Sequence, residues 1–146
     1  MTKVYFSPGP DCLNAIIDAL KKAKRRAKIC VFTISDNRIV DAIKDIQLNG
    51  VNIKIISDND KRYDTGNDID YISDLGIDVK LDTTSAHMHH KFAVIDDTIT
   101  ITGSYNWTRS AEQKNYENIL VTDSKDIAKA YTREFDKLWE LTEKID

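Results

Sequence analysis

The sequence holds little cysteine, little proline and no long apolar run. Its two cysteines, Cys12 and Cys30, sit inside apolar patterns without metal-ligand spacing, which reads as buried thiols in a reducing compartment and excludes a disulfide framework. Two prolines and five glycines exclude collagen-like and low-complexity chains. No stretch approaches the roughly 20 apolar residues of a membrane helix, and the opening MTKVYFSPGP has no apolar core of a signal peptide. No membrane anchor is therefore expected, and cytoplasm is the default location. An excess of one charge is missing as well: 21 Lys and Arg stand against 24 Asp and Glu, for a net charge of -3. The whole-molecule field thus advertises no polyanion, and any such partner has to be met locally.

What is present is an ordinary folded composition, 41% apolar and 31% charged over 146 residues, the size of one domain spanning 1–146. Val4 to Phe6 reads as a strand. Leu13, Ile16, Ile17 and Leu20 then fall at helical spacing, and the helix is predicted to run toward Ala27, its far end the basic run KKAKRRAK. Such charges suit a helix carboxyl end, and a substrate-facing patch is the other reading. Ile29 to Ile34 is apolar on both faces, as in a central strand, and Ile39, Ala42, Ile43 and Ile46 make a second helical stripe stopped at Asn49-Gly50. A strand at Val51 to Ile56, the polar stretch SDNDKRYDTGND, a short helix at Ile69 to Leu75 and a strand at Ile77 to Leu81 follow. Two strands joined at Asp96-Asp97 form a hairpin signal, and a strand near Asn118 to Val121 and a helix from Lys125 close the chain. This alternation predicts an α/β fold with a mixed, mostly parallel β-sheet sandwiched between helices.

Histidine is scarce too. All three, His87, His89 and His90, lie within four residues and are followed by Lys91. In extended chain, alternate side chains share a face, so His87, His89 and Lys91 point one way and His90 the other. An imidazole beside an ammonium suits a phosphate: one attacks phosphorus or moves a proton near neutral pH, the other holds the non-bridging oxygens. The ammonium also favours the neutral, nucleophilic ring. A hairpin closed at Asp96-Asp97 with regular pairing would return Ser104 opposite His89, with the Asn106 amide nearby as a second uncharged donor.

The run His89-x-Lys91-x4-Asp96-x6-Gly103-Ser104-x-Asn106 resembles the HKD motif of the phospholipase D superfamily, without a gap. Asn115-Tyr116-Glu117-Asn118 resembles the segment where small bacterial nucleases of that superfamily carry a glutamate paired to the motif histidine. The resemblance implies a phospholipase D/nuclease-like fold and a metal-independent phosphodiesterase without cofactor. Its motif histidine forms a phosphohistidine, while a histidine from a second motif protonates the leaving oxygen and then activates water. One motif per chain implies an obligate two-fold homodimer with a composite site.

Carried over, the resemblance makes His89 nucleophile in one subunit and general acid/base in the other. Lys91, Ser104 and Asn106 grip the phosphate, Glu117 orients a histidine, and Asp96 supports the site from the hairpin end. His87, Trp107, Arg109 and Lys114 are candidates to bind substrate, with core packing or solvation as the plain reading of each. A zinc site from the three histidines is the competing reading, weakened because they do not share a face. The expected substrate is DNA or RNA, with a lipid phosphodiester or an idle nucleic-acid-binding or scaffold module as alternatives.

Overall fold

The computed structural model describes residues 1–59 and 67–145; the middle of the polar stretch after Val51 to Ile56 lies outside them. In chain order the elements are β1 (Thr2–Phe6), α1 (Asp11–Lys21), β2 (Arg26–Val31), α2 (Asn37–Leu48), β3 (Asn52–Asp58), α3 (Ile69–Asp74) and β4 (Asp78–Asp82). The second half adds β5 (Lys91–Ile95), β6 (Ile99–Gly103), α4 (Arg109–Gln113), β7 (Asn118–Thr122), α5 (Lys125–Leu141) and β8 (Glu143–Lys144). The strands form one eight-stranded sheet in the order β1-β7-β6-β5-β2-β3-β4-β8.

The sheet is mixed but not mostly parallel. Only β2 with β3 and β3 with β4 run parallel, while the other five pairings are antiparallel. The α/β rhythm of the first half produces the parallel trio. From β5 onward the chain turns back in the β5–β6 hairpin, whose short turn allows only antiparallel pairing, and β7 then adds antiparallel to both β6 and β1.

Helices cover both faces, and each face has its own core. Ile16, Leu20, Ile39, Ile43, Ile29, Ile55 and Trp107 belong to the larger one, under α1, α2 and α3. Cys30, Ile56, Met88, Phe92 and Val94 pack on Ala128 and Phe135 of α5 in the smaller. The two thiols lie on opposite faces, both buried and free, and burial pushes Cys12 up to about 11. Ile127, near the start of α5, is 39% exposed.

Helix α1 stops at Lys21, well short of Ala27. The N–H groups of Lys24, Arg25 and Arg26 turn instead to the Asp96 carboxylate, at 2.9, 2.8 and 3.0 Å. Lys and Arg are good helix formers, so the local sequence has no reason to end there; the carboxylate that ends it arrives from 70 residues away. The basic run thereby becomes a turn and the start of β2.

The β5–β6 hairpin turns at Asp96 and Asp97, whose φ angles of 52° and 62° match a type I′ turn, with the Thr98 N–H donating to the Ile95 carbonyl at 3.0 Å. Yet Ile95 pairs with Ile99 and Phe92 with Thr102, so Thr98 is one residue extra. Continued beyond Phe92, that register sets Ser104 across from His90 and not from His89 as regular pairing suggested.

Candidate active site

Residues 87–90 precede β5 as extended chain at the carboxyl ends of β2 and β3, where open α/β sheets place their ligands. Two anchors hold the segment. The His90 carbonyl accepts the Phe32 N–H at 2.9 Å, and the fully buried Asp58 carboxylate accepts the Met88 N–H at 2.7 Å. Side chains alternate from there. Met88 is buried against Cys30 on the α5 face, and His90 turns to Glu134 of α5, Nε2 to Oε2 3.2 Å.

The other three gather around Phe32. The His89 and His87 rings sit 4.7 and 5.7 Å from the Phe32 centroid, and the Lys91 ammonium lies 5.6 Å above it. Lys91 Nζ is 3.1 Å from His89 Nδ1 and donates to the His89 carbonyl at 2.8 Å. An ammonium has no lone pair, so Nδ1 is the acceptor and the neutral ring carries its proton on Nε2. Lys91 and, after it, partial burial and His87 hold the His89 imidazole below its ordinary range, with Asp58 opposing. Burial draws Lys91 itself below the usual lysine range, and Glu117 works against that shift.

Asn106 is tied to the residue after Phe32: its Oδ1 accepts the Thr33 N–H at 3.3 Å, leaving its NH2 group as a donor. The segment behind it is fixed by Arg38, which reaches the buried Asp36 at 2.7 Å and Glu112 of α4 at 3.1 Å. Ser104 accepts the Asn118 N–H on its Oγ at 3.1 Å, and its own hydroxyl proton remains to donate. A glycine is required at 103, because a Cβ there would stand 2.1 Å from the Asn118 carbonyl oxygen.

Glu117 is half-buried, its backbone clamped by Ser7 (Ser7 N–H to the Glu117 carbonyl, 2.9 Å). Its carboxylate accepts from the Asn115 amide at 3.3 Å and not from a histidine of its own chain. Asp96 does not join the cluster at all. It lies five residues along β5 from Lys91, about 17 Å at strand rise. Burial raises its carboxyl, but the three N–H groups overcome this and hold it below the usual carboxylate range.

Trp107 is only 1% exposed, in the larger core with Tyr105, so it stacks on no substrate. Its backbone pairs with Ile34 in an isolated parallel bridge. Arg109 and Lys114 stand exposed at the start and the carboxyl cap of α4, on the segment that follows Asn106. His87 is exposed, its Nδ1 3.7 Å from Asp58. Among the described residues no three His, Cys, Asp or Glu side chains converge as a metal-binding group.

Two residues of the site carried no signal of their own in the sequence. Phe32 is an ordinary aromatic at a strand end. Asp58 is the polar end of an apolar strand, IISD, and a carboxylate fully buried there beside Ser57 marks the site only once the fold is known.

Residues 16–139 match the family described as cardiolipin synthase, PLD-like domain. The chain is 43% identical over 136 residues to the mitochondrial cardiolipin hydrolase of Chlamydomonas reinhardtii, covering 93% of this chain and 61% of that protein. It is 44% identical over 121 residues to the protein of the same name from Xenopus tropicalis, covering 83% of this chain and 58% of that one. The fold superposes on the phospholipase D family member Nuc from Salmonella typhimurium with a TM-score of 0.93 at 24% identity, across 99% of this chain and 97% of that one. The chain thus spans little more than half the length of these curated relatives. Their mitochondrial names overturn the cytoplasmic default. Among the described residues, no helix is long and apolar enough to cross a membrane.

Proposed function

The chain belongs to the PLD-like domain family, and from that premise we propose that it hydrolyses phosphodiesters by way of a phosphohistidine on His89. The observation that carries this reading is the pairing of His89 Nδ1 with the Lys91 ammonium at 3.1 Å, both packed on the Phe32 ring. The monoanionic phosphate of a diester is a stronger acceptor than an imidazole nitrogen, so a bound diester draws Lys91 off the ring. Nδ1 is then free to carry the proton, and the Nε2 lone pair faces phosphorus. Nε2 forms the P–N bond as the P–O bond to the leaving alcohol breaks, and Lys91 and Asn106 hold the oxygens on which charge develops.

The leaving oxygen needs a proton, and the attacking water must later lose one. Neither His87 nor His90 supplies this second imidazole, since the one sits by Asp58 and the other by Glu134. We assign it to His89 of the partner subunit, in a two-fold dimer whose two chains share one site. Glu117, without a histidine in its own chain, is the carboxylate available to orient a ring once the site is assembled.

Two classes of diester are supported. The nucleic acid expected from the sequence is favoured by the exposed Arg109 and Lys114 beside the Asn106 turn. A lipid diester is favoured by relatives named for the hydrolysis of cardiolipin. The test is cleavage of labelled DNA, RNA and phosphatidyl esters in excess EDTA, with His89→Ala alongside and the solution mass measured. Cleavage that persists in EDTA, vanishes in the variant and comes from a particle of twice 16.7 kDa is the expected result. Turnover surviving in His89→Ala, or an active strict monomer, removes the mechanism.

A further inference from the structure

The basic run KKAKRRAK lies at the far end of β2 from His89, and nothing in the reacting site uses it. Were α1 to continue, Arg25, Arg26 and Lys28 would fan around its axis. Because Asp96 ends the helix and β2 begins at Arg26, Arg26 and Lys28 instead share the α5 face of the sheet, about 7 Å apart along the strand. Parallel pairing then sets Lys28 beside Lys54 of β3. The outcome is a cleft of about 260 Å³ lined by Arg25, Arg26, Lys28 and Lys54, with Ala27 and Asn52 between them. Among the described residues, no carboxylate lines it.

Folding alone does not ask for this arrangement, since like charges side by side on neighbouring strands destabilise a sheet. Lys28 is offset by Asp136 of α5 at 2.8 Å, and Arg26 by Asp97 at 3.2 Å. Among the described residues, Arg25 and Lys54 have no carboxylate within ion-pair reach. The Arg25 guanidinium donates to the Asp96 carbonyl at 3.1 Å, and the Lys54 ammonium sits 5.2 Å from the centre of the Trp139 ring. Lys80 already holds that ring, 4.6 Å from the same centroid, and donates to the Trp139 carbonyl at 2.7 Å. Asp78, the register neighbour of Lys54 on β4, makes no ion pair with it.

We propose that this cleft binds a compact multivalent phosphate, a di- or triphosphate group, at a site separate from His89. Arg25 and Arg26 supply forked donors for its oxygens, and Lys54 supplies a charge that no carboxylate of the described residues neutralises. The anion takes over Arg26 and Lys28 from Asp97 and Asp136, whose side chains are 40% and 59% exposed and return to water. A single negative charge would not replace two carboxylates. A polymer fits less well, because Asp78, Asp97 and Asp136 each stand beside one of the lining cations, and the next phosphate along a chain would meet them. Nor does the cleft extend the reacting site: Phe32 lies six residues beyond Arg26, about 20 Å at strand rise, and α5 packs on the sheet face between them.

Calorimetry with sodium triphosphate in excess EDTA tests the site, with methyl phosphate as the single-phosphate control. Triphosphate should bind about 30-fold tighter than methyl phosphate or better, because its added charges meet added cations. Lys54→Gln and Arg25→Gln remove side chains that close no ion pair among the described residues, so both chains should fold. Each should weaken triphosphate by about tenfold or more, the loss of one charge-assisted hydrogen bond. Lys91→Gln disarms the reacting site from beyond a Debye length and should keep this binding within about twofold. No binding of triphosphate, an affinity unchanged in both cleft variants, or an affinity lost in Lys91→Gln overturns the proposal.

Two further probes separate the sources of clustered phosphate: a single-stranded oligonucleotide without terminal phosphates, and phosphatidylcholine vesicles containing phosphatidylglycerol. Either of them held through Arg25 and Lys54 more tightly than triphosphate would make the cleft a contact for a polymer or a bilayer and overturn the compact anion. The site goes beyond the phosphodiesterase reading and fails separately from it. Triphosphate binding needs no turnover, and diester hydrolysis should be the same within about twofold in Lys54→Gln, whose side chain stands far from the histidines.

Discussion

Replacing Asp96 by asparagine should cost stability and leave the chemistry alone. The carboxylate collects the N–H groups of Lys24, Arg25 and Arg26 at 2.8 to 3.0 Å. Hydrogen bonds to a charged group contribute roughly 1.5–3 kcal/mol each, but this cluster is partly exposed, water replaces part of the loss, and asparagine keeps one acceptor oxygen. The net cost comes to about 2 kcal/mol, or roughly 6 °C in Tm for a domain of this size. Asparagine is the proper probe, because Asp96 has a φ of 52°, a conformation that asparagine tolerates and alanine resists.

The loss also has a pH signature. The folded carboxyl lies below its unfolded value, so its stabilisation is complete above the unfolded pKa near 3.9 and disappears as pH falls through the lower folded value. The gap between wild type and variant in thermal melts should therefore be full at about pH 6 and close in acid. The rate of diester hydrolysis at 25 °C should change less than about twofold, since the residue stands about 17 Å from Lys91 along β5. A variant that melts like wild type yet has lost tenfold or more in kcat would refute the argument and return Asp96 to the reacting centre.

One histidine acting as base and a second as acid give a bell-shaped pH–rate profile; Lys91→Gln removes the positive charge that lowers the His89 imidazole, so both limbs should move to higher pH while the maximum falls by about 100-fold or more. A profile that keeps its position would mean that the ammonium does not control the ring. Gly103→Ala sets a methyl group 2.1 Å from the Asn118 oxygen and 2.8 Å from the Ile119 Cα, both backbone atoms, so β6 and β7 must part. A loss of about 3 kcal/mol in urea unfolding is expected, and an unchanged midpoint would show that the strands separate at no cost.

Much of this was legible in the chain because it is local. The stripe Leu13, Ile16, Leu20 and the stop at Gly50, with a φ of 90°, follow from neighbours a few residues apart. The errors lie where a distant partner decides. Nothing near Lys21 announces that Asp96 will end the helix, and nothing in the strand spacing says that β1 will pair with β7 and not with its helical neighbour's strand. Thr98 shifted the return of Ser104 because a turn type does not state whether a bulge follows it. In the site, the types and spacing of His89, Lys91 and Asn106 were readable, whereas Phe32 and Asp58 act through position alone.

The hairpin turn also explains why the motif has fixed gaps. From Lys91 to Asp96 the chain measures out one strand, and from Asp96 to Gly103 it measures the turn, the extra Thr98 and the way back. The two counts work as a ruler clamped at its far end, where Asp96 is tied to the start of β2. Because side chains alternate, losing a single notch anywhere on it would carry Gly103 off its crossing with Asn118 and present the following turn by its opposite side. Substitutions inside the hairpin that keep its apolar alternation are therefore tolerable, but a deletion of one residue, even at the tip, displaces the turn to which the proposed function assigns the phosphate.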